Sequence, residues 1–380
     1  MRGLVLTCAE LYTPLEVIRP ATIRIEDGRI LSIREGREAL GEDLGECIVA
    51  PGFVDVHVHG YEGHDATSGE VEPLLSLARS LARHGVTAFV PTTVTAPHET
   101  LLAAAKATAE AMAAQGDPPE GARILGLHLE GPYISPGRRG AQNHDFIRPP
   151  DWEEFRAYWD ASRGHIKTVT VAPELPGAIS FIERAVALGV VVSLGHTNAS
   201  YEEAKAAIAA GASRATHLYN AMPPWHHRAP GVVAACLESP QVVVELIWDL
   251  VHVAPPMLRL AWRLAGSLRT ALITDAIAAG GLSDGTYTLG GLAVEVKDGV
   301  PRLEDGALAG STLTMDQAVR NAVDIGIPLR EALIMASLAP ARACGEPTLG
   351  LLRPGCPADF VVLNEDLSVE RVYIGGRRLA

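Results

Sequence analysis

The sequence predicts an α/β fold: a (β/α)8 TIM barrel with a small β-sandwich domain built from both chain termini. Eight apolar runs of strand character lie near 53–58, 86–93, 123–130, 167–172, 190–195, 214–217, 242–248 and 270–275, most of them followed by amphipathic or alanine-rich stretches. Five of these runs stop at a histidine or a carboxylate. Both chain ends carry short alternating runs broken by turn residues. A doubly wound open sheet fits less well, because no G-x-G-x-x-G follows the first strand.

Taken in order, residues 1–50 read as strands and turns. Ala21–Ile25 alternates, Glu26-Asp27-Gly28-Arg29 turns, and Ile30–Ile33 returns, which is a hairpin pattern. The segments 358–363 and 369–374, with a turn at Gly375-Gly376, look alike. Neither end makes a domain alone. Residues 1–50 and 346–380 are therefore expected to pair into one sandwich, leaving 51–345 as the catalytic barrel. Helices are expected over 72–83, 99–114, 177–188, 200–210 and 255–265. A β-hairpin insertion is expected over 284–306, before a last helix at 314–325.

The 380-residue chain is 48% hydrophobic and 20% charged, a globular composition. Its net charge of −13 argues against nucleic acid or an anionic membrane as partner. An anionic small substrate would need a local basic pocket. The five cysteines form no C-x-x-C pair, which suits reduced thiols and a cytoplasmic location. Leu4–Cys8 resembles a lipoprotein cleavage box, but too few residues precede it for an apolar targeting core. No apolar run approaches the ~18 residues of a membrane span.

The chemistry is expected at the carboxyl ends of the barrel strands. The first strand ends in His57-Val58-His59, whose two imidazoles share one face by strand alternation. The third ends at Glu130, the fifth at His196, the sixth at His217 and the eighth at Asp275. Any one of these reads most simply as a core residue; five equivalent ends together do not. Imidazoles and carboxylates suit a divalent ion, zinc foremost, with iron, cobalt or manganese as alternatives. Glu130, His196 and His217 would supply three ligands and leave a position for water, whose pKa the ion lowers. Asp275 is placed to take that water's proton and pass it to a leaving nitrogen. His57 and His59 would hold a second ion, bridged to the first by Glu130. A carboxylated lysine, the common bridge at the end of strand four in such barrels, is excluded. Lys167 lies at the start of that strand, and Lys106, Lys205 and Lys297 fall outside the barrel strands.

The motifs together resemble the amidohydrolase superfamily and, within it, the N-acetylglucosamine-6-phosphate deacetylases. They are His128-Leu129-Glu130-Gly131-Pro132, Gly195-His196-Thr197-Asn198-Ala199 and Thr216-His217-Leu218-Tyr219-Asn220-Ala221-Met222. Arg228-Ala229-Pro230-Gly231, Asp275-Ala276 and Gly310-Ser311-Thr312-Leu313-Thr314-Met315 also match. The resemblance spans nearly the whole chain. It implies hydrolysis of the acetamide of N-acetyl-D-glucosamine 6-phosphate to glucosamine 6-phosphate and acetate, in amino-sugar catabolism. It also implies a homodimer, with Arg228 binding the phosphate in the neighbouring active site. Asn220 and Ala221 would touch the substrate, and His252 the sugar or phosphate. Leu308, Ala309 and Gly310 would meet the sugar through their backbone.

Two positions depart from that pattern. Many members carry Gly-x-His-Asn after strand three, whose histidine polarises the acetyl carbonyl. Here the loop reads Gly140-Ala141-Gln142-Asn143-His144, so Ala141 and Gln142 stand at the substrate and the next histidine comes two residues later. Asp249-Leu250 stands where Asp-Gly is common. His128 would line the pocket or back the ligands, while His64, His84, His98 and His165 receive no role. The competing readings are another metal amidohydrolase, such as a deaminase or cyclic-amide hydrolase, and a non-catalytic scaffold of the same fold. The complete ligand set and Asp275 argue against the scaffold; Arg228 and Asn220–Met222 argue against the deaminase.

Overall fold

The computed structural model describes residues 3–379. Eight parallel strands form the barrel: β1 (Phe53–Val58), β2 (Val86–Thr93), β3 (Leu127–Glu130), β4 (Ile166–Val171), β5 (Val191–Leu194), β6 (Arg214–Ala215), β7 (Val243–Ile247) and β8 (Thr270–Ile273). Each of β2 to β7 pairs with its sequence neighbours, and β1 pairs with β2. The ring closes just past β8, where Asp275 N donates to His57 O at 2.9 Å and His59 N donates to Ala276 O at 2.8 Å. Third-strand pairing is interrupted at Leu125-Gly126, so Arg123–Ile124 pairs with β2 as a separate piece. Gly126 has φ +137°, and a Cβ there would lie 2.5 Å from His165 O.

Strand alternation sets the site. On β1, Val54, Val56 and Val58 occupy one face and Asp55 and His57 the other, with His59 following in the same phase; all are buried. The helix Val71–Ala82 shows how the outer layer is held. Its Leu74, Leu77, Ala78 and Leu81 recur at helical spacing and are buried against the barrel. Truncating Leu77 to Ala would cost about 2–5 kcal/mol. The expected helices are present, and four more were not anticipated: Trp152–Ala161, Gly231–Glu238, Leu329–Ala336 and Leu338–Ala343. The insertion is a three-stranded antiparallel sheet, Gly285–Leu289, Leu292–Lys297 and Val300–Arg302, rather than a hairpin. Its Leu289 and Val294 pack on Val94 and Ile277 from the loops after β2 and β8.

The two chain ends meet as a sandwich. Ile48–Pro51 pairs antiparallel with Phe360–Leu363 inside a six-stranded sheet. The facing four-stranded sheet contains Leu4–Cys8, Ala21–Glu26, Arg29–Glu35 and Glu42–Asp43. Leu6, Ile23, Ile30, Val49 and Phe360 fill the space between. No helix among the described residues is long and apolar enough to cross a membrane.

Candidate metal centre

Six side chains converge at the carboxyl ends of β1, β3, β5, β6 and β8. They form two groups able to hold an ion, His57 with His59 and Asp275, and Glu130 with His196 and His217. Glu130 joins them. Its Oε1 lies 2.9 Å from His217 Nε2, 3.2 Å from His196 Nε2 and 3.4 Å from His57 Nε2, and its Oε2 lies 3.3 Å from His59 Nε2. Asp275 Oδ1 faces His57 Nε2 at 3.3 Å and His59 Nε2 at 3.1 Å.

The backbone is bent to make this possible. His196, His217 and Asp275 all leave their strands at positive φ (48°, 27° and 50°), as do Tyr219, Ala221 and Leu250 nearby. Such conformations are costly for non-glycine residues and are held by their surroundings. After His196, Glu174 accepts hydrogen bonds from Thr197 Oγ1 (2.5 Å) and Asn198 N (2.6 Å), and a Ser200–Glu203 capping box starts the next helix. Around Asp275, the chain donates its N–H to His57 O and receives Ser311 N on its own carbonyl at 2.8 Å. Leu250 takes the left-handed conformation (φ +63°) that a glycine would adopt freely, so the Asp249-Leu250 departure leaves a glycine-like turn intact.

The outer ring nitrogens show that the residues fit a divalent ion. His59 Nδ1 lies 3.0 Å from Thr92 O, His196 Nδ1 lies 2.9 Å from Arg138 O, and His57 Nδ1 lies 3.0 Å from Glu245 Oε2. A carbonyl or carboxylate can only accept, so each Nδ1 carries the proton and each Nε2 can offer its lone pair inward. The charges agree. Burial opposes ionisation of Glu130, yet the His57 and His196 charges and the imidazole hydrogen bonds hold its carboxyl well below the usual range. Burial likewise opposes Asp275, and the His57 charge and the His59 hydrogen bond lower it. Burial disfavours the His59 cation, but hydrogen bonds to Asp275 and Glu130 raise it to about 9. The cluster therefore draws positive charge, which protons on His57 and His59 supply when no ion is bound.

Beneath the ligands lies a layer of hydroxyls. His128 is fully buried between Thr92 Oγ1 (3.3 Å) and Thr170 Oγ1 (2.8 Å), and Thr216 Oγ1 bonds Thr170 and Ser193. Burial and the neighbouring His57 and Arg214 charges hold His128 well below the ordinary histidine range, so it stays neutral behind the ligands.

Above them opens a cavity of about 280 Å³, lined by Ala141, Gln142, Asn220, Ala221, His252, Leu308 and Gly310 among others. Gln142 Oε1 accepts Thr95 N at 2.6 Å and Nε2 donates to Glu130 Oε2 at 2.6 Å. His252 Nδ1 is held by Asp249 Oδ2 at 2.6 Å, which leaves Nε2 for the cavity. Two expected participants, Ala309 and Arg228, do not line this cavity, and neither does His144. Ala309 is buried in the apolar cluster beneath the insertion, with its N–H on Pro301 O. His144 is exposed beside Asp145. Arg228 is exposed on its loop, with a guanidinium nitrogen 2.8 Å from His227 Nε2, and among the described residues no lysine or arginine lines the cavity. Sequence reasoning missed Arg214 and Glu245, a fully buried pair on β6 and β7, and Asp55, which accepts Thr274 Oγ1 at 2.5 Å across the barrel seam. A charged residue inside an apolar strand was the available signal for each.

A barrel with a binuclear-type cluster at its carboxyl end defines a metal-dependent hydrolase of the (β/α)8 class. The chain belongs to the amidohydrolase family, whose model matches residues 48–379. It is 40% identical over 363 residues to the N-acetylglucosamine-6-phosphate deacetylase of Vibrio furnissii, covering 94% of this chain and 90% of that protein. It is 41% identical over 357 residues to the N-acetylgalactosamine-6-phosphate deacetylase of Escherichia coli O157:H7, covering 93% of each. A Mycobacterium smegmatis N-acetyl-D-glucosamine-6-phosphate deacetylase mutant, solved with N-acetyl-D-glucosamine-6-phosphate, superposes with a TM-score of 0.94 at 40% identity. That match covers 100% of this chain and 99% of the other.

Proposed function

We propose that the chain hydrolyses the acetamide of N-acetyl-D-glucosamine 6-phosphate, giving glucosamine 6-phosphate and acetate in amino-sugar catabolism. The single observation that carries this reading is the meeting of Asp275, Glu130 and four imidazoles at the floor of a cavity of sugar-phosphate scale. Glu130, His196 and His217 would hold one ion, zinc by preference, and His57 and His59 a second. The chemistry such an ion would supply when bound is a water ionised near neutral pH and a polarised amide carbonyl. Asp275, kept ionised by its histidine neighbours, takes a proton from the nucleophile and delivers it to the departing amine. Gln142 spends one N–H on Glu130 and presents the other to the acetyl oxygen, the place the family histidine takes. Asn220, Ala221, His252, Leu308 and Gly310 orient the sugar, with the buried Ala309 fixing the segment between the last two.

Among the described residues no guanidinium or ammonium lines the cavity, and a phosphate is best held by one. Arg228 of the neighbouring subunit of a homodimer supplies it, from a loop that is exposed in the single chain. We assign 51–345 to the catalytic barrel, 1–50 with 346–380 to the sandwich, and the enzyme to the cytoplasm. Acetate release from N-acetylglucosamine 6-phosphate, its galacto epimer and the unphosphorylated sugar tests the reading. Preference for the phosphorylated glucosamine derivative is expected; equal rates with and without phosphate would overturn the substrate assignment.

A further inference from the structure

Five of the barrel's strands, β1, β3, β5, β6 and β8, bring a side chain to the cluster, but β7 ends without one. Its inward residue is Glu245, fully buried, and its neighbour on β6 is Arg214, also fully buried. Arg214 Nε lies 2.8 Å from Glu245 Oε1 in an ion-pair contact without hydrogen-bond geometry, and the guanidinium finds no other hydrogen-bond partner among the described residues. Glu245 spends its other oxygen upward. Oε2 accepts from His57 Nδ1 at 3.0 Å and from the backbone N–H of His217 at 3.3 Å. One carboxylate thus touches a residue of each ligand group. The main chain of Glu245 reaches the same turn, since Leu218 N donates to Glu245 O at 2.8 Å.

We propose that Glu245, turned by Arg214, is the positioning residue that sets which nitrogen of His57 faces the metal. The proposal rests on the reading that His57 and His59 hold an ion. Of the four cluster histidines, three have a partnered Nδ1, and among these His57 alone depends on a side chain; His59 and His196 use backbone carbonyls, which no substitution removes. A carboxylate can only accept, so it holds the proton on Nδ1 and frees Nε2. Arg214 fixes which oxygen points down. With an amide at position 245, the carbonyl oxygen would turn to the guanidinium and the NH2 to His57. The imidazole would then accept at Nδ1 and carry its proton on Nε2, where an ion must bind. The same logic makes an orienting carboxylate sensitive to amide replacement in acid–base triads.

The test is metal content per folded protomer, measured by elemental analysis after dialysis against a zinc buffer, with circular dichroism confirming the fold. His57→Ala is the control for the underlying reading and is expected to lose one equivalent; unchanged content would overturn the two-ion reading, and the proposal with it. Glu245→Gln is expected to bind that same equivalent about 10–100-fold more weakly while retaining the other. Arg214→Met combined with Glu245→Gln is expected to regain it, because the amide oxygen is then free to turn to His57 Nδ1–H and His217 N–H. That double variant removes both buried charges together, so it keeps the question open to experiment if Glu245→Gln alone fails to fold. Loss of an equivalent in His57→Ala but wild-type affinity in Glu245→Gln would overturn the proposal alone. So would a folded double variant that lacks the equivalent.

Discussion

Gln142 ties its loop directly to the bridging carboxylate: its Nε2 donates to Glu130 Oε2 at 2.6 Å while its Oε1 holds Thr95 N. A neutral amide here both orients Glu130 and leaves one N–H over the cavity. Gln142→Ala is expected to lower kcat roughly 10²-fold, as loss of a donor to a developing oxyanion does. KM should move much less. Gln142→Glu would set a second carboxylate against Glu130 and abolish turnover. Steady-state acetate release checks both; a Gln142→Ala variant with wild-type kcat would remove the amide from the reaction.

Asp275→Asn keeps the shape of the side chain but cannot take a proton. Turnover is expected to fall about 10²–10⁴-fold, the usual contribution of a general acid–base group. Full turnover in this variant would sink the mechanism.

Arg228 lends itself to complementation. Arg228→Ala should raise KM for the phosphorylated sugar and leave the unphosphorylated sugar unaffected. Mixing Arg228→Ala with Asp275→Asn subunits should restore about a quarter of the activity, because half the dimers then hold one intact site. No recovery on mixing would mean that Arg228 serves its own chain or none.

Removing the ions should cost stability as well as activity. The inward Nε2 atoms of His57 and His59 are 3.4 Å apart, and those of His196 and His217 are 3.1 Å apart, so each pair needs a shared cation or protons. Zinc returned to the chelated protein at a thousand times its Kd is expected to add about 4 kcal/mol to unfolding. Differential scanning calorimetry with and without zinc measures this, and coincident transitions would contradict it.

A carboxylate away from the metal predicts acid behaviour. Burial opposes ionisation of Asp316, but hydrogen bonds from His84 and Thr314 and the Arg320 charge lower it from 3.8 to about 2. Its folded value is depressed, so its stabilisation is complete well above pH 3.8 and is lost as pH falls toward 2. Asp316→Asn should cost roughly 2 kcal/mol at neutral pH and nothing once the group is protonated in both states. Urea unfolding at pH 6 and at the acid end separates the two; an equal cost at both would show that charge is not the cause.

The ends of the barrel strands were legible because a parallel barrel sends its chemistry to one rim. Reading where each apolar run stops was enough to name His57, His59, Glu130, His196, His217 and Asp275, which the fold does bring together. The sandwich was legible from alternation, although its central pairing of Ile48–Pro51 with Phe360–Leu363 joins residues some three hundred positions apart. The missed helices have local causes. Gly231–Glu238 opens with glycine and two valines, a strand-like start, and Leu329–Ala336 is separated from Leu338–Ala343 by a break at Ser337. Arg214 and Glu245 each left one signal, a charge inside an apolar run, but their pairing was not legible because it joins two strands. Gln142 could be named from the loop motif, but not its two hydrogen bonds, which depend on how the loop returns over Glu130.

The seam of the barrel is also where its first and last strands bring His57, His59 and Asp275 together as a group able to hold an ion. A growing polypeptide still on the ribosome holds the two histidines long before Asp275 has been made. It can close neither the ring nor that ligand set. An ion held by all three would therefore arrive only after synthesis has passed residue 275 and the opening strand has found its final neighbour. A truncated chain carries the histidines without the means to secure the ion between them.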